Sequence, residues 1–187
     1  MLYYYENMRM KYILIVVILT IPVFVFLSDK RLPDRGIGTS EGYFQKKTSI
    51  TVLGDENCKE KTQEALDLLR EKSAGDYAAV MDTMGAIRCI QSGSLVFPWQ
   101  SPPTFEVGEE TLNSGSLWYA SVLSHETCHI QQFFRKEQWQ GAHAEEYCLH
   151  KQYDVLVSLG ADQEILDYTK NIISSKWWEK SRAEMNY

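Results

Sequence analysis

Residues 116–136, SLWYASVLSHETCHIQQFFRK, form the stretch on which the interpretation of this chain rests. They follow Gly115 and contain neither glycine nor proline, which predicts a helix of several turns. Within the stretch, His125 and His129 are four residues apart, and residues at this spacing lie on one face of a helix, about one turn from each other. The predicted helix therefore presents two imidazole rings side by side.

Two imidazoles at this spacing can bind a single zinc ion, because histidine nitrogen is one of its preferred ligands. Glu126 lies about 100° around the helix from His125, which places its carboxylate beside the metal. There it can take a proton from zinc-bound water and pass it to a leaving group. The motif His-Glu-x-x-His is specific, since it is expected by chance in fewer than roughly one in a hundred chains of this composition. It predicts a zinc-dependent hydrolase with Glu126 as the catalytic residue.

A catalytic zinc site needs a third protein ligand and an open position for water. The longer motif with a third histidine is absent, because Gln132 and Arg135 stand at its key positions. The third ligand therefore has to come from elsewhere in the chain. The helix predicted after Gly141 would return beside the first one. Its candidate ligands are His143, Glu145, Glu146 and His150.

The motif resembles that of the zincin metallopeptidases, in particular the gluzincin branch. The resemblance covers about residues 104–160 and implies two histidines from the motif and a glutamate from the next helix. In that branch a small side chain typically follows the glutamate by three residues. Cys148 has this place relative to Glu145, and Leu149 has it relative to Glu146, so Glu145 is the preferred third ligand and Glu146 the alternative. Thermolysin-like enzymes have an acidic residue four positions after the glutamate, where this chain has Leu149, so the chain is not a close relative of those enzymes.

The resemblance further implies a peptide or protein substrate and a group that stabilises the developing oxyanion. Four side chains of the second helix are candidates for that group: His143, Tyr147, His150 and Tyr153. Residues 104–108 alternate in polarity and predict an edge strand. In zincins an edge strand before the active helix holds an extended substrate by backbone pairing. A purely structural hairpin is the equally weighted alternative.

The four cysteines permit two disulfides if the domain is exported, or buried free thiols if it faces the cytosol. No C-x-x-C motif is present, which disfavours a cysteine zinc knuckle. If the two ligand-bearing helices pack together, a Cys128–Cys148 bridge would lock them, and Cys58 would pair with Cys89. Ligation of the metal by cysteine is the less favoured alternative.

A few strands first and helices last predict an α+β fold, here a minimal zincin-like domain at residues 49–187. The predicted strands are 49–53, 86–90, 95–97 and 104–108, and the predicted helices are 58–72, 116–136, 142–159 and 162–176. Residues 161–187 are too few to build a second lobe. We therefore expect a shallow substrate groove, or a protein partner that completes it.

The N-terminal part is predicted to tether the domain. Residues 12–27 are an uncharged, mostly apolar run preceded by Arg9 and Lys11. The run falls between a signal peptide and a full membrane span in length, and no good cleavage site follows it. Residues 1–28 are therefore expected to be an uncleaved membrane anchor and residues 29–48 a linker, with the domain outside the cytoplasm. Secretion after signal cleavage is the alternative, and Met8 or Met10 would suit the true start.

The composition narrows the function classes. The net charge is −6 and no stripe of lysine and arginine is present, which excludes a typical nucleic-acid-binding protein. Two functions compete with a membrane-tethered zinc peptidase. One is a non-catalytic zinc-binding or envelope-assembly module that keeps a zincin fold, and the other is a structural protein with an accidental motif. The number of protein ligands on the metal distinguishes the non-catalytic module from an enzyme, because a structural zinc has four and a catalytic zinc has three.

Overall fold

The structure is a computed structural model that describes residues 49–176 and residue 178. It is an α+β fold with a small mixed sheet and mostly helices, as the sequence predicts. Within the described residues, no helix combines the length and apolar character that crossing a membrane requires. The predicted anchor at residues 1–28 and the linker at residues 29–48 lie outside the described part of the chain.

The sheet has four strands in the order β1-β2-β4-β3. The strands are β1 (Thr51–Leu53), β2 (Ala86–Ile90), β3 (Leu95–Phe97) and β4 (Thr104–Gly108). β1 pairs with β2 and β2 with β4 in parallel, whereas β3 runs antiparallel to β4. The sheet is therefore mixed, and β3 is the antiparallel strand at one of its edges.

The prediction that residues 104–108 form an edge strand is wrong. β4 is hydrogen-bonded on both sides, to β2 and to β3, so it is an inner strand, and the edge strands of the sheet are β1 and β3. Alternating polarity indicates which face of a strand is buried, but it does not indicate whether the strand has one neighbour or two. In β4 the half-buried Glu106 lies beside Arg88 of β2, and the two side chains form an ion pair of 2.7 Å.

The described part of the chain forms six helices. They are α1 (Glu56–Lys72), α2 (Ala74–Thr83), α3 (Glu109–Leu112), α4 (Ser116–Phe134), α5 (Ala142–Leu159) and α6 (Gln163–Ser175). The sequence did not predict α2 or α3. α3 is a single turn, and α2 buries only Val80 and Thr83, so neither has the apolar periodicity that announces a helix.

The helix ends are set by local side-chain chemistry. Asp55 begins α1, where its carboxylate accepts a hydrogen bond of 2.9 Å from the backbone N–H of Cys58. Asp162 does the same for α6. Gly160 ends α5 in the left-handed conformation, φ 79°, which favours glycine. These residues fix where α5 stops and where α6 turns back against it.

α4 lies at the centre of the domain and packs against α1, α2 and α5 and against β3. Buried side chains from the sheet and the helices form one hydrophobic core around it; the fully buried members of the largest size are Phe105, Leu69, Met84, Ile87, Leu123, Ile130 and Tyr119. The disulfide Cys58–Cys89 ties α1 to β2 at the rim of this core. The helix that carries the motif is therefore held on several sides.

One polar pair lies within the core. The hydroxyl groups of Thr62 on α1 and Tyr119 on α4 are 3.0 Å apart and form a buried hydrogen bond. Burial raises the pKa of Tyr119 to about 12, although the hydrogen bond to Thr62 opposes the rise. Tyr119 therefore stays neutral and joins the central helix to α1.

Tyr119→Phe is expected to destabilise the domain by about 1–3 kcal/mol, because the Thr62 hydroxyl is left buried without its partner. Urea unfolding measures the change. The double variant Tyr119→Phe/Thr62→Val should lose less than the sum of the single variants, since no unpaired group remains. The exposed Tyr168→Phe serves as the control. Strict additivity of the two single changes would contradict the proposed importance of this hydrogen bond.

Candidate metal centre

α4 presents His125 and His129 toward the same point. The Nε2 atoms of the two rings are 3.1 Å apart, and the ring centroids are separated by 4.8 Å. Both side chains are buried. The spacing of four residues on a regular helix is sufficient to produce this arrangement.

α5 brings the third group. One carboxylate oxygen of Glu145 is 3.6 Å from Nε2 of His125, and the other is 3.7 Å from Nε2 of His129. Among the described residues, these three side chains form the group whose ligand atoms could share a metal ion. The structure thus places together the two motif histidines and the glutamate that the sequence analysis preferred.

The distances between these atoms allow a shared metal ion. Zinc binds histidine nitrogen at about 2.0–2.1 Å and carboxylate oxygen at about 2.0–2.2 Å. Two ligands at those distances on a tetrahedron are roughly 3.3–3.5 Å apart. The two imidazole nitrogens are 3.1 Å apart, and the distances of 3.6 and 3.7 Å from them to Glu145 involve its two different oxygens. With one ligand atom from each residue, the three atoms lie within 4.8 Å of one another, so the three side chains could share one metal ion.

His129 is oriented by the loop between the two helices. Its Nδ1 lies 2.9 Å from the backbone carbonyl oxygen of Trp139. Because a carbonyl can only accept, Nδ1–H donates, and the neutral ring then offers the Nε2 lone pair to the centre. The Nδ1 of His125 is buried and makes no hydrogen bond within the described residues. The two ligands are thus supported unequally.

Two further contacts hold α5 against α4. The disulfide Cys128–Cys148 joins the helices next to the ligands, with a Cα separation of 5.7 Å. One turn further along α5, the side-chain amide of Gln152 donates a hydrogen bond of 3.1 Å to the hydroxyl of Ser121. Both disulfides of the structure are the pairs that the sequence hypothesis named, and the described residues contain no free cysteine.

The charges of the centre are mutually stabilising. Burial alone would raise the pKa of Glu145, but the hydrogen bonds and charges of His125 and His129 outweigh it and hold that pKa at about 2. Burial opposes protonation of His129, yet its contacts with Glu145 leave its pKa above the ordinary value. Glu145 is therefore a carboxylate at any physiological pH, as a metal ligand must be.

Glu126 differs from Glu145 in its electrostatics. Burial raises its pKa, the neighbouring His125 and His129 oppose that rise, and the charge of Glu145 adds to it. The side chain is half-buried and is not one of the three clustered ligands. A carboxylate with a raised pKa beside a cationic centre is suited to accepting and releasing a proton.

The other candidates of the sequence analysis lie apart from the centre. Glu146 is not part of the ligand cluster. Tyr147 is about 200° around α5 from Glu145 and lines a cavity of about 170 Å³ between α2, α4 and α5. His143 and His150 are exposed and also point well away from the Glu145 direction. These positions disfavour Tyr147, His143 and His150 as oxyanion partners.

Tyr153 is the α5 candidate whose direction is nearest to that of Glu145, about 80° around the helix. It follows Glu145 by eight residues, however, and therefore lies about 12 Å further along the helix axis. Its ring is half-buried beneath the Lys170 ammonium group of α6, 5.4 Å from the ring centroid.

The contact between the Trp139 carbonyl and His129 was not predicted from the sequence, since no side-chain pattern reveals which backbone group will lie beside a histidine.

Comparisons with known proteins add no relative: no family model, no curated protein and no solved structure matches this chain. The functional interpretation therefore rests on the motif and on the geometry of its surroundings.

In chelator-treated protein, Glu145→Gln is expected to lower stability at pH 5 by on the order of 2 kcal/mol. Because the pKa of Glu145 is lowered in the folded state, ionisation of this carboxyl stabilises that state at pH values above its ordinary pKa of 4.5. The stabilisation is lost as the pH falls through about 2. The deficit should therefore shrink by more than half at pH 3. Urea unfolding at both pH values measures it, with Glu146→Gln as the neighbouring control. An equal deficit at both pH values would contradict this electrostatic account.

Proposed function

We propose that this protein is a zinc-dependent hydrolase, and more narrowly a peptidase with a zincin-like domain. The observation that carries the proposal is the convergence of His125, His129 and Glu145, whose ligand atoms lie within 4.8 Å of one another and could therefore share one metal ion. Two histidines and one glutamate are a ligand set of catalytic zinc in peptidases.

Three ligands leave one coordination position open. Structural zinc sites are closed by four protein ligands, whereas the described residues supply three here. This favours catalysis over the non-catalytic module considered from the sequence. Zinc bound at this centre supplies Lewis-acid activation of a water molecule and of a carbonyl group.

Glu126 is assigned the proton transfers. Glu126 directly follows His125, so its carboxylate would lie beside the metal ligands, and burial raises its pKa, which favours uptake of a proton. It accepts a proton from the attacking water and donates it to the departing amine. Glu145 cannot take this role, because its pKa of about 2 keeps it ionised.

An extended peptide fits the architecture near the centre. β3 is an edge strand that contacts α4, so its unpaired backbone groups can pair with a substrate strand. This assigns to β3 the role that the sequence analysis had given to residues 104–108.

The proposed location of the domain is outside the cytoplasm. Two disulfides in a domain of this size are typical of an oxidising compartment. The apolar run at residues 12–27 would tether the domain to a membrane there, with secretion after cleavage as the alternative. We further propose that a protein partner completes the substrate groove.

The full-length protein is expected to bind one zinc ion per chain. Glu145→Ala should weaken zinc binding at least about 100-fold, because a direct ligand is removed, whereas substitution of an outer group typically has an effect of 10–100-fold. Elemental analysis and chelator competition measure this. Glu146→Ala, the adjacent residue outside the cluster, is the matched control and should retain zinc. Equal zinc loss in both variants would argue against the assigned ligand set.

Glu126→Gln is expected to lower the rate of peptide hydrolysis by about 10²- to 10⁴-fold while zinc content stays unchanged. The amide keeps the size of the side chain but cannot carry the proton. Digestion of a mixed peptide library, followed by mass spectrometry, gives the rate. Hydrolysis that survives both this substitution and a chelator would refute the peptidase proposal. Zinc binding without any hydrolysis would favour the non-catalytic module.

A further inference from the structure

Five aromatic rings form a continuous series beside the metal centre, which we name the aromatic ridge. Its members are Phe97, Trp99, Trp139, Phe133 and Phe134. Successive ring centroids are 5.5, 5.6, 5.7 and 5.7 Å apart, within the usual range of aromatic contacts. The ridge runs from the end of β3 to the end of α4.

Trp99 is the most exposed member of the ridge. It lies in a tight turn after β3, closed by a hydrogen bond of 3.2 Å from the backbone N–H of Gln100 to the carbonyl of Phe97. Pro98 at the second position favours such a turn. The turn holds Trp99 outside the hydrophobic core, with 56% of its surface exposed. A large apolar side chain presented to solvent by a rigid turn is a feature of binding surfaces.

The ridge contacts the proposed active site through the outer edge of His129, on the Nδ1 side of the ring, whereas its Nε2 faces the centre. Trp139 lies at the middle of the ridge, and the carbonyl of this same residue accepts the hydrogen bond that orients His129. At one end, Phe97 is the last residue of the edge strand β3. The ridge thus connects a metal ligand with the strand on which an extended substrate would pair.

We propose that the aromatic ridge binds a large apolar side chain of the substrate, aromatic or branched aliphatic, close to the bond that is cleaved. The inference rests on the proposed peptidase function and names its substrate class. Trp99 is the specificity-determining residue, because it offers the largest exposed apolar surface of the ridge. Phe134, at the far end and 41% exposed, is the second contributor.

The geometry of the rings favours an apolar side chain over a sugar. Neighbouring rings meet edge-on or tilted, with interplanar angles of 84°, 59° and 90° from Phe97 to Phe133. They form interlocked edges, whereas stacking of a sugar needs a broad, flat ring face. Charge recognition is also disfavoured, because Arg135 and Glu137, which follow the ridge on α4 and its loop, pair with each other at 2.9 Å.

The first experiment measures binding without requiring catalysis. N-acetyl-phenylalanine amide and N-acetyl-glycine amide are titrated against the full-length protein by saturation-transfer NMR. The phenylalanine probe should bind at least about tenfold more tightly, which corresponds to burial of one aromatic side chain. Trp99→Ala should reduce this preference to below about threefold. Val157→Ala, a residue of α5 with 51% exposure that is not part of the ridge, should leave it unchanged.

The second experiment tests specificity of cleavage. The same peptide library is digested by wild type, Trp99→Ala and Val157→Ala, and zinc content is measured beside it. We expect enrichment of large apolar residues next to the cleaved bond in wild type and in Val157→Ala, and loss of that enrichment in Trp99→Ala with unchanged zinc. Because Trp99 lies outside the core, its substitution should leave the circular dichroism and unfolding midpoint intact.

The outcomes separate the two proposals. Absence of a preference between the two probes, or a preference that persists in Trp99→Ala, overturns the assignment of the ridge. Zinc-dependent hydrolysis with no side-chain preference overturns the ridge but leaves the peptidase proposal standing. A Trp99-dependent preference for the phenylalanine probe without zinc or hydrolysis refutes the peptidase proposal and retains the ridge as a surface for apolar side chains.

Discussion

The packing of α5 against α4 is the interaction on which the candidate site depends. His125 and His129 need only a regular helix to lie side by side, but Glu145 reaches them because α5 returns antiparallel and close. The contact is secured in two ways, by the Cys128–Cys148 bridge and by the hydrogen bond from Gln152 to Ser121. α4 itself is fixed by the core of the domain. A short-range motif thus becomes a three-ligand centre through one helix-to-helix contact.

The packing of α5 against α4 gives Glu126 and Glu145 pKa values that are shifted in opposite directions. Glu145 is held between two imidazoles that favour its charged form, whereas burial disfavours the charged form of Glu126. Burial raises and the two histidines lower both pKa values, but burial prevails for Glu126 and the histidines prevail for Glu145, so the two pKa values shift in opposite directions. Such a divergence is typical of two carboxylates with different roles. The assignment of roles therefore follows from surroundings, since the two side chains are chemically identical.

Much of this arrangement could be predicted from the sequence, because it depends on local spacing. The bounds of β2, β3 and α5 follow from apolar patterns and from Gly141 and Gly160, and the pair of histidines follows from helical periodicity. The preference for Glu145 over Glu146 came from the resemblance to gluzincins, and the structure brings the preferred residue to the centre.

The rest depends on tertiary contacts that no local pattern encodes. Strand order is such a property, which is why residues 104–108 were assigned to the edge while β3 occupies it. Helix α2 was missed because its burial is shallow and its apolar periodicity weak. The support of His129 by the Trp139 carbonyl escaped prediction because every residue has a carbonyl and only the folded loop selects one.

The Cys128–Cys148 bridge also limits how far Glu145 can move from the imidazoles if the first turn of α5 unwinds. Cys148 follows Glu145 by three residues, and Cys128 directly precedes His129. Even if the first turn of α5 is fully unwound, the Cα of Glu145 stays within about 10–11 Å of the Cα of Cys148. Glu145 therefore remains at a high effective concentration near the imidazoles. Fraying of the helix end would then be followed by rapid recapture of the ligand, so that loss of the ion need not follow each opening.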